Sequence, residues 1–138
     1  MNFIYNDGGR AEAGYKGKVD DCTVRAIAIV TEQSYQEVYS KLYELNRQSK
    51  QKLASPRDGN TKLSTTKSYL ESLGWYWTPT MLFGKGCKVH LKPDELPAGR
   101  LVVRLSKHLC AVIDGVLNDT YDCTREESRC VYGYFSKK

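Results

Sequence analysis

No apolar run in this 138-residue sequence approaches the roughly 20 residues that a bilayer-spanning helix needs. The N-terminal stretch Met1-Asn2-Phe3-Ile4-Tyr5-Asn6-Asp7 has neither a basic n-region nor an apolar h-region, so no signal peptide is expected and the predicted location is the cytoplasm. Lysines and arginines form no stripe. Lys16/Lys18, Arg47/Lys50/Lys52 and Lys137/Lys138 are the local groups, and a net charge of +5 so scattered reads as a mildly basic surface, with no membrane and no nucleic-acid partner expected. Disorder and fibrous classes are excluded by 41% hydrophobic and 27% charged residues. Neither an internal repeat nor a domain boundary interrupts the chain, so 1–138 reads as one domain, with 1–18 as an extended arm or loop.

Histidine is scarce. Only His90 and His108 exist, so any imidazole chemistry rests on one of two positions. Five cysteines (22, 87, 110, 123 and 130) are an odd number in no secreted framework, and without an export signal they read as reduced thiols. Cys87-Lys88-Val89-His90 looks like half of a zinc site, but its natural complement, a second tight pair, is missing, because Cys123 and Cys130 are seven residues apart. Neither metal nor cofactor is therefore predicted.

What is present is organised around Asp20-Asp21-Cys22, followed by an apolar run containing one arginine, Arg25. Asp20 or Asp21 can cap the free N–H groups of a first turn, so a helix is expected from Cys22 to about Thr31. The helix macrodipole favours a thiolate at such a position. Arg25 needs an acidic partner, with Asp20, Asp21 or another acid as candidates. Ser34-Tyr35-Gln36-Glu37 is a capping box opening a second helix to about residue 50. A third helix starts near Ser64 and stops at Gly74. Strands are expected at 75–78, 101–105, 108–113, 116–121 and 130–135, and Asn2–Tyr5 suits a short edge strand. Pro93-Asp94-Glu95 reads as a single tight turn. Helices first and an antiparallel sheet afterwards make an α+β domain. Trp75, Tyr76, Trp77, Tyr132, Tyr134 and Phe135 are expected to serve core and sheet packing.

Asp114-Gly115 between two apolar runs is a strong hairpin signal. A two-residue type I′ turn pairs Ile113 with Val116, so Cys110 faces Asp119 and His108 faces Tyr121. These four then share one face of the sheet, with Cys110 on the wall of the site. Asp119 is a diagonal neighbour of His108 and can orient its imidazole, while Asn118 and Asp122 point the other way; a one-residue slip would bring Asn118 in. Nucleophile, base and acid thus follow in the order Cys22, His108, Asp119.

On these residues the chain resembles the papain-like cysteine peptidase superfamily in its small forms, and short phage- and prophage-encoded proteins assigned to it. The resemblance runs from about residue 18 to 122. Cys22-Thr23-Val24-Arg25-Ala26 is also similar to the OTU-type deubiquitinase motif, with Val19 where that motif has its aspartate. What the resemblance implies is a thiol hydrolase with its site between helices and sheet, Cys22 as nucleophile, His108 as general base and Asp119 as orienting acid. Its partner would be a peptide or protein substrate. The alternative it implies is an inactive papain-like phage protein that binds and inhibits a host component, in the host cytoplasm. Where such enzymes carry an oxyanion glutamine, this chain has Lys16; the Cys22 N–H and one of Asn6, Lys16 or Lys18 are the candidate donors.

Overall fold

The computed structural model describes residues 1–16, 19–59 and 61–137. Among them, the chain runs β1 (Phe3–Tyr5), α1 (Cys22–Thr31), α2 (Tyr35–Gln48), α3 (Leu63–Ser72), β2 (Trp75–Pro79), β3 (Arg100–Leu105), β4 (His108–Ile113), β5 (Val116–Asp119) and β6 (Gly133–Lys137). A single 3-10 turn at Pro93–Glu95 stands where the tight turn was expected. The fold is α+β. Lys18, one of the candidate donors, and Lys138 lie outside the described residues.

Six strands form one sheet in the order β1-β5-β4-β3-β6-β2. The sheet is mixed rather than antiparallel, because β1 runs parallel to β5, with Phe3 opposite Leu117 and Tyr5 opposite Asp119. No local turn signal announces such a pairing; it joins segments more than a hundred residues apart. Asp114 and Gly115 both take positive φ (48° and 78°), as a type I′ turn requires, and Ile113 pairs with Val116 as expected. The last strand begins at Gly133 rather than Cys130.

Both faces of the sheet are covered. On one, Val24, Ile27 and Val30 of α1 with Tyr35, Val38, Leu42 and Leu70 pack on Val102, Leu109, Ala111 and Phe135. On the other, Leu91, Cys123 and Val131 close over Leu101, Val103, Cys110, Val112 and Leu117. This alternation along β4 follows the two-residue period of a strand. Trp75 and Phe135 are core residues, and Trp77 packs against Phe135 with the rings tilted and 4.9 Å between their centres, so these aromatics serve packing. Arg100 donates from Nε to the Val30 carbonyl at 2.8 Å and from its guanidinium to Ile29, closing the C-terminus of α1. Ser34 Oγ accepts from the Glu37 N–H at 3.1 Å, the serine half of the capping box.

Two expectations are corrected. Cys87 and Cys130 form a disulfide, so only Cys22, Cys110 and Cys123 are free thiols. Spacing could not reveal this pair, because the two cysteines meet through a bridge between segments 43 residues apart in sequence. Asp21 occupies the N-cap position of α1 without a side-chain capping bond. Its carboxylate is taken by side chains instead. Among the described residues no helix is long and apolar enough to cross a membrane.

Candidate functional site

Cys22 is the first residue of α1, and His108 the first of β4, at the open end of the β4–β5 hairpin. Asp119 ends β5 beside it. At this end of the two strands Asp119 meets both His108 and Arg25 of α1. His108 Nε2 lies 2.7 Å from Asp119 Oδ2. Cys123 places its sulfur within 4.8 Å of the ligand atoms of His108 and Asp119, and Cys22 lines the same two clefts as the imidazole. With Nε2 held by Asp119, Nδ1 is the nitrogen left for a thiol. The three sequence-predicted residues are therefore brought together. Asn118 bonds instead to Asn6 and to the Val116 carbonyl, and Asp122 to Thr124, so neither displaces Asp119.

Beneath them lies a buried ionic network. Arg25 donates to Asp21 and, at 3.1 Å, to Asp119 Oδ1, which also accepts from the Thr120 N–H at 2.7 Å. Asp21 accepts from Arg10 at 3.3 Å and from the Tyr35 hydroxyl at 2.7 Å, and Arg57 donates to that hydroxyl at 2.7 Å. Asp21 and Asp119 are 0% and 2% exposed. A buried charge without a partner is costly, and this network supplies partners for both acids. Arg25 was legible as a charge in an apolar helix; Arg10, Tyr35 and Arg57 carry no such signal.

Electrostatics follow from this packing. Burial opposes a charge on His108, but Asp119, Cys123 and Cys22 outweigh it and push its pKa up to about 12. Burial likewise opposes ionisation of Asp119, yet His108, the Thr120 N–H and Arg25 hold it below the usual carboxylate value. Cys123 is lowered to about 6, first by a hydrogen bond from Cys110 and then, against burial, by His108. Cys110 itself is fully buried and pushed well up, and it lines neither cleft at Cys22, so it does not form a wall of the site as expected; the equally buried Cys123 is the cysteine that lies near His108 and Asp119. Three arginines and an imidazolium thus face two buried carboxylates, a surplus of positive charge.

Two clefts meet at Cys22 and His108. One, about 260 Å³, is lined by Arg10, Val19, Asp20, Arg25, Thr120 and Tyr121 as well. The other, about 290 Å³, adds Thr23, Gly59, Thr61, Arg104, Lys107 and Leu109. Gly59 has φ +72°, and a Cβ there would sit 2.3 Å from Asp20 Oδ2, so glycine lets this loop close on the start of α1. Of the candidate oxyanion donors, Asn6 is committed to Asn118 through Nδ2, while the Lys16 carbonyl accepts from Arg57 at 3.1 Å and its side chain is exposed. Potential ligand atoms of His108, Asp119 and Cys123 lie within 4.8 Å of one another, but the surrounding arginines already neutralise the carboxylates that a cation would need.

No protein-family model matches the chain, and no curated protein and no solved structure matches it either.

Proposed function

We propose that the chain is a small papain-like thiol hydrolase, a peptidase or isopeptidase working by acyl transfer, in the cytoplasm. The observation that carries this reading is His108, bonded to the Asp119 carboxylate, lining the same two clefts as the Cys22 thiol at the start of a helix. The Cys22 thiolate attacks an amide carbonyl, and the new oxyanion takes the Cys22 backbone N–H. Arg10, on the wall of the same cleft, supplies a cationic N–H donor where the resembled enzymes use glutamine. Collapse forms a thioester and expels the amine, which leaves with the proton from His108. His108 then removes a proton from water, whose oxygen attacks the thioester, releasing the acid and restoring Cys22 and the imidazolium. Asp119 keeps the ring in one orientation throughout, and Arg25 and Thr120 keep Asp119 in place. Two clefts that share Cys22 and His108 leave room for a chain extending beyond the reacting bond, which favours a peptide or protein substrate.

The test is alkylation of the native protein with iodoacetamide at pH 6, site by site. Cys22 should react at least tenfold faster than free cysteine, and His108→Ala should abolish the advantage. Reaction no faster than free cysteine, or an advantage that survives His108→Ala, overturns the reading. A non-catalytic protein that binds a host component takes its place if Cys22→Ala leaves the biological effect intact.

A further inference from the structure

Segments 89–91 and 129–131 run antiparallel to one another. The Val131 N–H donates to Val89 and the Leu91 N–H to Arg129, both at 2.8 Å, with His90 directly opposite Cys130 between them. That is the non-hydrogen-bonded position of an antiparallel pair, where facing side chains are closest. The backbone, not the disulfide, therefore sets His90 beside Cys130. Cys87, three residues before His90, reaches the same place: its sulfur is bonded to Cys130 and lies 3.7 Å from His90 Nε2. The other ring nitrogen, Nδ1, faces Glu95 Oε1 at 3.2 Å, and Lys92 holds the second oxygen of that carboxylate at 3.2 Å. Met81 Sδ stands 3.4 Å from Cys130 Sγ.

We propose that Cys87, His90 and Cys130 form a binding site for a thiophilic divalent cation of the zinc class, closed by the disulfide and opened by its reduction. The donor set is two thiolates and one imidazole nitrogen, with a fourth position open to water on the side of exposed Cys87. Bond lengths of about 2.3 Å to sulfur and about 2.1 Å to nitrogen at a tetrahedral angle put the two ligands roughly 3.6 Å apart. The 3.7 Å between Cys87 Sγ and His90 Nε2 matches that span. Glu95 is the outer carboxylate that such imidazole ligands use to fix tautomer and orientation. Opening requires a dithiol or phosphine reductant: two electrons and two protons convert the disulfide to two thiols, and metal binding then releases those two protons.

The experiment uses the full chain, reduced with a phosphine under anaerobic conditions and freed of reductant, and titrates it with Co²⁺. One equivalent should give the thiolate-to-cobalt charge-transfer band and intense tetrahedral d–d bands, displaced by Zn²⁺. The oxidised protein should give neither. His90→Ala and Cys130→Ser should abolish the bands with helical content unchanged, and Glu95→Gln should weaken binding by about tenfold or more. Cys22→Ser and Cys123→Ser should bind as wild type. Absence of the bands in the reduced wild type overturns the proposal. So do bands that survive His90→Ala and disappear in Cys123→Ser, which would put the metal at His108 instead.

Discussion

His108 and Asp119 are joined by a 2.7 Å contact between Nε2 and Oδ2, and the other carboxylate oxygen is bound by Arg25 at 3.1 Å. One carboxylate thus connects the imidazole on the sheet to the first turns of α1. The residue that orients His108 also ties down the helix that carries Cys22, so site geometry and fold stability depend on the same oxygen pair.

Removing Arg25 leaves two buried carboxylates short of a partner. Arg25→Met should therefore destabilise the fold by about 3–5 kcal/mol, read from urea unfolding. The double variant with Asp21→Asn should lose less than the sum of the two single changes. Strict additivity would mean that the Arg25–Asp21 contact contributes nothing.

Asp119→Asn keeps the shape of the side chain and removes the charge that holds His108 protonated. Cys22 alkylation by iodoacetamide at pH 6 should slow by about tenfold or more once the imidazole beside it loses the carboxylate that favours its charge. An unchanged rate at pH 6 would disconnect Asp119 from the thiol.

The pH dependence of stability has opposing parts. Folded His108 keeps its proton to about 12 against an ordinary 6.5, so its contribution is full below 6.5 and is lost as pH rises toward 12. Folded Cys123 releases its proton near 6 against an ordinary 9.0, so its contribution is full above 9.0 and is lost as pH falls through 6. Between about 6.5 and 9 the Cys123 gain offsets part of the His108 loss, so unfolding free energy should fall less steeply below 9 than above it. In Cys123→Ala the steep decline should begin near 6.5; a flat profile in that variant would contradict the shift assigned to His108.

Arg100 binds the last carbonyls of α1 from the start of β3. Arg100→Ala should cost about 1–2 kcal/mol without altering Cys22 reactivity, because the bonds lie at the far end of the helix. Urea unfolding and alkylation rates measured on the same sample separate the two effects.

By itself the sequence determined whatever depends on neighbours along the chain. The apolar run after Asp21 made α1, Ser34 and Glu37 opened α2, and Asp114-Gly115 specified the hairpin register that places His108 near Asp119. These are local rules of capping, periodicity and turn geometry. Contacts between distant segments lie beyond those rules and were settled by how the layers pack. The parallel strand at Phe3–Tyr5, the capture of Asp21 by Arg25, Arg10 and Tyr35, the approach of Cys123 to His108, and the meeting of Cys87 with Cys130 all join distant segments. In each case the partner was chosen by packing: a buried charge or thiol binds whatever complementary group the folded layers bring to it, and spacing along the chain carries no record of that.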